Sequence, residues 1–342
     1  MNIQTPPPAK RTAKDYASDQ EVRWCPGCGD YAIIKGVQRT LAELEADPAT
    51  TMFISGIGCA ARFPYYLSTY GFHTIHGRAA ALATGVKLTN PDLDIWVVSG
   101  DGDSLSIGGN HLLHVLRRNV DLQYLLFNNE IYGLTKGQYS PTSRVGTRSP
   151  STPKGSLDTP VSAALFALGA SARFVARGAD VLQQPLVDVL KRAHAHRGAS
   201  FVEILQNCIV YNDGVFGHLT DRATKDDALI HVAHGAPLVF GKDGGKGLRL
   251  AESGLKLEVV QLGDGIAESD LLVHDETDRT LATMLAGMDA PHFPVAMGVI
   301  YCDPTESYER TVHAELDAAA AAAKTTSIDD LLRRGHTWEI DE

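Results

Sequence analysis

No apolar run in this 342-residue sequence reaches the roughly 18 residues that a membrane-spanning helix needs. The opening stretch, Met1 to Lys14, is polar and proline-rich and has no apolar core of the kind a secretion signal carries. Both observations lead to the expectation of a cytoplasmic protein with no membrane partner. Positive charge is in deficit: 31 Lys and Arg against 41 Asp and Glu leave a net charge of −10, which argues against nucleic acid as a partner. Cysteine is scarce at five residues, and in a reducing compartment those thiols are expected as ligands or core residues before disulfides. His231, His234 and His274 do not have the spacing of a metal set. What remains is ordinary globular material, 44% hydrophobic and 21% charged, long enough for one full α/β domain and an appendage.

The most informative stretch is a pair of short apolar runs. Asp94-Ile95-Trp96-Val97-Val98-Ser99 stops at Gly100-Asp101-Gly102-Asp103, and Leu122-Gln123-Tyr124-Leu125-Leu126-Phe127 stops at Asn128-Asn129. Runs of this kind, apolar on both faces, are expected as buried strands of a parallel sheet. Ser106 to Arg118 between them reads as a crossover helix. The resulting βαβ unit puts a carboxylate and an amide at the carboxyl ends of adjacent strands, the rim where open α/β sheets bind ligands. Mg²⁺ takes octahedral oxygen ligands and leaves several positions to phosphates and water. Asp101, Asn129 and the carbonyl of Ile131 would suit it, and Gly100 and Gly102 would let phosphates approach the backbone. The stretch resembles the thiamine diphosphate motif, GDG followed at a set distance by NN.

Cys25-Pro26-Gly27-Cys28 presents two sulfurs from one tight turn, a spacing shared by zinc sites, iron–sulfur clusters and redox disulfides. A helix from about Tyr31 to Glu45 and a strand, Thr51 to Ser55, follow. That strand ends in Gly56-Ile57-Gly58-Cys59-Ala60-Ala61-Arg62, which would bring a third thiol to the same rim. Cys208, after the strand Ser200 to Leu205, is the fourth candidate. Cys302 is expected as a core thiol. CxxC with two distant cysteines suits a cuboidal 4Fe–4S cluster better than zinc, but spacing alone leaves both open.

In order, CPGCGDY, IGCAAR, His73-Thr74-Ile75-His76-Gly77-Arg78, GDGDSLSIGGNHLLHVLRRN and NNEIYGLTKGQYSPTS resemble the β subunit of 2-oxoacid:ferredoxin oxidoreductases, most closely the type acting on 2-oxoglutarate. The resemblance implies thiamine diphosphate, Mg²⁺ and one 4Fe–4S cluster as cofactors. It assigns Cys25, Cys28, Cys59 and Cys208 to the cluster, and Asp101, Asn129 and Ile131 to Mg²⁺. Ile57, Gly58, Cys59 and Ala60 would line the cofactor with His76, Gly77 and Arg78 nearby, while Gly102 and Asp103 would meet the diphosphate on one side and Gly133 and Leu134 on the other. The implied reaction is oxidative decarboxylation of 2-oxoglutarate with coenzyme A to succinyl-CoA and CO₂, electrons passing through the cluster to ferredoxin. Alternatives are the same chemistry on pyruvate or other 2-oxoacids, and a non-redox thiamine lyase with structural zinc.

Thiamine enzymes need a glutamate against the aminopyrimidine, and none here sits in a matching motif. Glu43, Glu45 and Glu130 are expected to point elsewhere, so the resemblance implies an α partner, in this type a fused γ–α chain, without which the protein should be inactive. Arg62, three residues after Cys59, is expected to pair with the distal carboxylate of the substrate.

The fold expectation is a doubly wound, mostly parallel α/β sheet with a C-terminal α+β extension. Residues 1–22 form an arm with Pro6-Pro7-Pro8, 23–230 the cofactor and cluster domain, and 231–342 the extension. Further helices are expected over Val161–Ala170, Asp180–Arg197, Ala267–Val273 and Arg279–Gly287. Asp303 is expected to cap a last helix running through the alanines at 318–323.

Overall fold

The computed structural model describes residues 10–263, 265–323, 327–338 and 340; the Pro6-Pro7-Pro8 segment lies outside them. Eleven strands form two sheets among these residues. In the large sheet the order is β2 (Tyr70–His73), β1 (Thr51–Ser55), β3 (Asp94–Gly100), β4 (Leu122–Asn128), β6 (Ala199–Leu205), β5 (Phe174–Ala179), β11 (Val295–Cys302) and β7 (Leu229–Val232). The first six are mutually parallel, β11 runs antiparallel to β5, and β7 is parallel to β11. The small sheet is antiparallel, β10 (Leu257–Gln261) to β9 (Lys246–Leu250) to β8 (Val239–Phe240).

The two-sided burial expected of the central runs has a simple geometric outcome. Ile95 and Val97 of β3 enter the core on one face, with Leu112, Leu116 and Ala167; Trp96 and Val98 enter the core on the other, with Ile33, Leu41 and Leu186. Successive side chains of a strand point to opposite faces, so a run apolar at every position must be covered on both. The covering helices are α1 (Asp30–Glu43) and α6 (Gln183–Ala195) on one face, and α2 (Ala79–Thr89), α4 (Gly109–Arg118), α5 (Ala163–Gly169) and α8 (Arg279–Ala286) on the other. β1 connects outward to β2 while β3 connects to β4 on its other side, so the winding reverses between β1 and β3. Such a switch point opens a crevice at the carboxyl ends of the strands.

Several segments depart from the sequence-based expectation. The crossover helix is interrupted: α3 (Asp101–Leu105) stops, Ser106 to Gly108 bend, and α4 begins at Gly109, because the loop carrying Gly77 packs against Gly108. The helix expected over Ala267–Val273 is a single 3-10 turn, Glu268–Asp270; Leu272 instead bonds through its backbone to Leu238 and Leu248 of the small sheet's layer. Asp303 does not cap the last helix. Its carboxylate pairs with Arg173 at 2.5 Å, and α9 (Tyr308–Ala322) begins after Ser307. Residues after 231 do more than append a layer, since β11 lies within the main sheet between β5 and β7. The described part of the N-terminal arm folds onto its own chain: Tyr16 is wholly buried and its hydroxyl donates to Ala46 O at 2.6 Å.

Candidate functional site

Because β1, β3, β4 and β6 are parallel, the segments that follow them meet at one rim. There a cavity of about 480 Å³ is lined by Ile57, Gly58, Cys59 and Ala60 after β1, Gly100 to Asp103 after β3, Asn129 to Thr135 except Glu130 after β4, and by His76, Phe127, Gln138 and Gln206. Twelve of the expected cofactor and Mg²⁺ residues are thereby brought together; Gly77 and Arg78 are not in the wall. The Gly77 N–H donates to Asp103 Oδ1 at 2.7 Å, and the Arg78 guanidinium reaches Ile107 O at the rim, so both act on the loop that presents His76.

Asp101 is 2% exposed. Its Oδ2 accepts from Ser140 Oγ at 2.5 Å and Thr142 Oγ1 at 2.6 Å. Burial nevertheless pushes its carboxyl up to about 6. Asn129 Oδ1 accepts from Ile131 N at 3.2 Å and its Nδ2 donates to Gln206 Oε1 at 2.6 Å. An oxygen pair of this kind suits Mg²⁺. Gly102 has no room for a Cβ, which would lie 2.2 Å from the Tyr132 ring, and Tyr132 donates to Gly102 O at 2.9 Å.

Asp103 also holds the loops of the site together. Its carboxylate lines the cavity but is committed to Ser99 Oγ at 2.5 Å, Ile57 N at 3.2 Å, Gly77 N and His76 Nδ1. It pins the β1 loop and the His76 loop to the start of α3.

The four cysteines converge beside this cavity. Cys25, Cys28, Cys59 and Cys208 line a second hollow of about 220 Å³, with Arg62, Asn129, Gly133, Leu134 and Gln206 among its other walls. All four are free thiols. Trp24 anchors the CxxC turn by donating to Cys59 O at 2.8 Å, and the Cys28 N–H donates to Cys25 O at 3.0 Å. Burial first, then the neighbouring Asp30 carboxylate, pushes the Cys28 thiol well up and the Cys59 thiol up to about 11. Among the described residues no three His, Cys, Asp or Glu side chains are gathered around a single-ion position; the thiols surround a space instead. Cys302 sits apart, in the core on β11, 3.9 Å from His196 Nδ1.

Arg62 lies on the cysteine side. It lines the cysteine hollow and an outer groove with Arg23, Tyr65 and His73, and does not line the cofactor cavity. Its guanidinium donates to Arg23 O at 2.8 Å. The residues that sequence reasoning missed are those seating the ligands: Ser140 and Thr142 under Asp101, Gln206 beside Asn129, and Asn212, whose amide holds Asn129 O at 2.9 Å. Ser140 and Thr142 lie in the quoted run GQYSPTS, but nothing local assigns them to a carboxylate 39 and 41 residues earlier.

A third cavity, about 250 Å³, lies on the other side of Asn128 and is lined by Glu130, Arg144, Arg177, Glu203 and His218 among others. Two ion pairs lie in its wall: Arg177 meets Glu203 at 2.8 Å and Arg144 meets Glu130 at 3.2 Å.

The doubly wound sheet brings an acid and an amide to adjacent strand ends, and residues 55–204 match the family described as thiamine pyrophosphate enzyme, C-terminal TPP binding domain. Two curated relatives narrow this. The chain is 48% identical over 333 residues to a 2-oxoglutarate oxidoreductase subunit KorB of Mycobacterium tuberculosis, covering 96% of this chain and 88% of that one. It is 44% identical to the β subunit of 2-oxoacid:ferredoxin oxidoreductase 1 of Aeropyrum pernix over 205 residues, 60% of this chain and 64% of the relative. Among solved structures, a 2-oxoglutarate:ferredoxin oxidoreductase from Magnetococcus marinus with 2-oxoglutarate, coenzyme A and succinyl-CoA bound superposes with a TM-score of 0.77 at 30% identity, covering 96% of this chain and 97% of that one. The chain belongs to the β subunits of the 2-oxoacid:ferredoxin oxidoreductases.

Proposed function

We propose that this chain is the β subunit of an enzyme that oxidatively decarboxylates 2-oxoglutarate with coenzyme A, releasing succinyl-CoA and CO₂ and passing electrons to ferredoxin. The observation that carries the redox reading is the shared wall between the two hollows: Cys59, Asn129, Gly133, Leu134 and Gln206 line both. Bound there, thiamine diphosphate would supply the carbanion chemistry and a 4Fe–4S cluster one-electron acceptance. The choice of 2-oxoglutarate over pyruvate rests on the Mycobacterium and Magnetococcus relatives.

The chain's own residues have positional roles in this reading. Asp101, Asn129 and the Ile131 carbonyl would hold Mg²⁺, on the hydroxyls of Ser140 and Thr142. Cys25, Cys28, Cys59 and Cys208 would hold the cluster, and thiolates are the soft ligands that iron–sulfur centres take. That all four cysteines line one hollow supports the cluster reading. Asp103, Gly77 and Arg78 would fix the loop that carries His76.

Among the described residues no glutamate lines the cofactor cavity. Glu43 pairs with Arg39 and Lys191, Glu45 with Lys10, and Glu130 with Arg144. This supports an α partner, a fused γ–α chain in the form proposed, that supplies the ring-activating glutamate. The test is anaerobic purification with and without the partner, followed by iron analysis and assays on several 2-oxoacids. Cys208→Ser should remain folded and lose iron, because a serine oxygen is a poor ligand for iron in such a centre. Four irons with a normal spectrum in that variant, or turnover by the isolated chain, would overturn the corresponding part of the reading.

A further inference from the structure

Gln206 is one of the side chains that touch both candidate centres. Gln206 directly follows β6, is 2% exposed, and lines the cofactor cavity and the cysteine hollow alike. Its Nε2 donates to Cys28 Sγ at 3.3 Å and to Asn207 O at 2.8 Å. Its Oε1 accepts from Asn129 Nδ2 at 2.6 Å. The amide is thus oriented at both ends: its donors go to Cys28 and to the backbone of Asn207, and its acceptor to Asn129.

The surroundings fix that direction. The Gln206 N–H is held by Asn128 O at 2.9 Å, which sets the residue against the end of β4. On the opposite side its stem packs where Gly29 lacks a side chain, since a Cβ on Gly29 would lie 2.9 Å from Gln206 Cγ and 2.0 Å from Asp180 Oδ2. A glycine directly after the CxxC motif therefore has a packing reason, and that reason is Gln206 together with Asp180.

We infer that Gln206 is a positioning residue for both centres: its carbonyl turns Asn129 so that Oδ1 is the atom offered to Mg²⁺, and its amide N–H tunes the cluster through Cys28. The inference rests on the assignment of the cysteines and Asn129 given above. An asparagine amide offers oxygen or nitrogen with nearly equal shape, and only the oxygen can bind a cation. An acceptor held against Nδ2, together with the Ile131 N–H on Oδ1 at 3.2 Å, sets the orientation of the amide, and such outer partners typically change metal affinity by about 10- to 100-fold. An N–H donor to a cluster sulfur stabilises the more negative, reduced state, so it raises the reduction potential.

Two substitutions in the purified α–β assembly separate the two bonds. Gln206→Leu removes both. It should weaken Mg²⁺-dependent thiamine diphosphate binding, read by calorimetry at fixed cofactor, by about 10-fold or more, and should lower the cluster midpoint potential read by electron paramagnetic resonance titration. Gln206→Glu keeps an acceptor for Asn129 but loses the donor, so it should bind Mg²⁺ within about threefold of wild type while lowering the potential at least as far as the leucine variant. A potential unchanged in both variants at full iron content would overturn the cluster half. Mg²⁺ affinity unchanged in Gln206→Leu would overturn the Asn129 half. A wild-type assembly without iron would instead bring down the cluster assignment itself, and the cluster half of this inference with it.

Discussion

Asn128 and Asn129 are consecutive, and they serve opposite sides of the rim. Asn128 Nδ2 donates to Glu203 Oε1 at 2.8 Å inside the 250 Å³ cavity, where Glu203 also meets Arg177 and Arg177 donates to Ala296 O at 3.1 Å. Asn129 faces the cofactor cavity and the cysteine hollow. On the first side the buried charges find partners within the chain. On the second, Asp101 and the Cys28 and Cys59 thiols are pushed up by burial. Glu130, on the first side, is pushed up to about 7 by burial despite Arg144. A protein completes its structural polar networks internally and leaves its binding sites to be completed by what they bind. Substituting one side should therefore cost stability, and substituting the other should cost binding.

The largest effect is expected on the binding side. Asp101→Ala should abolish Mg²⁺-dependent thiamine diphosphate binding, because a methyl group offers no oxygen to an octahedral cation. Its unfolding free energy should change by no more than about 1 kcal/mol, the lost hydroxyl bonds being offset by release of a buried carboxyl. Calorimetry and denaturant unfolding on the same preparation check both, and retained affinity would remove Asp101 from the metal site.

The structural side is tested by Arg177→Met. Arg177 and Glu203 side chains are 7% and 5% exposed, so removing the cation strands a buried carboxylate and should destabilise the fold by about 3–5 kcal/mol. Thiamine diphosphate affinity of the folded fraction should be unchanged. A loss of affinity with little loss of stability would erase the distinction between the two cavities.

A third effect comes from pH and lies within the scaffold. His196 is 4% exposed, its Nε2 has no partner, and burial holds its imidazole down at about 4 against an ordinary 6.5. The unfolded chain takes up the proton first, so the stability due to the neutral ring is complete above about pH 6.5 and is lost as the pH falls toward 4. Two and a half pH units correspond to on the order of 3 kcal/mol. Chemical denaturation across that range should show the decline, and His196→Phe should flatten it; parallel slopes in the two proteins would refute the assignment.

The part of the site carried by strand ends was legible in the sequence, since runs apolar at every position reveal both the strands and where they stop. Asp101, Asn129 and Ile131 follow from that alone. The cysteines were legible as a cluster set only through resemblance, because no spacing rule brings Cys208 to Cys25. Gln206, Ser140 and Thr142 carry no local signal: their partners are distant in sequence and meet them only because β3, β4 and β6 are neighbours. The placement of β11 was hidden for a related reason. Met297 to Tyr301 reads as a strand, but nothing in it states that it will pair with β5, more than a hundred residues earlier.

Arg62 tests the boundary between the two hollows, with the smallest expected effect. Its distance in sequence from Cys59 suggested that it reads the substrate's distal carboxylate, which would make Arg62→Ala raise the Michaelis constant for 2-oxoglutarate alone. Its position argues otherwise. The guanidinium is tied to Arg23 O, lines the cysteine hollow and opens on the outer groove, and its charge acts on the Cys59 thiol, which it lowers against burial. A cation there favours the reduced form of a cluster but cannot tell a diacid from a monoacid. Arg62→Ala should therefore change turnover of 2-oxoglutarate, pyruvate and 2-oxobutyrate by the same factor, no more than about fivefold for a charge term of 1 kcal/mol or less. A steep loss confined to 2-oxoglutarate would place the side chain in the substrate pocket after all, and would mean that the partner subunit reshapes this loop when it closes the site.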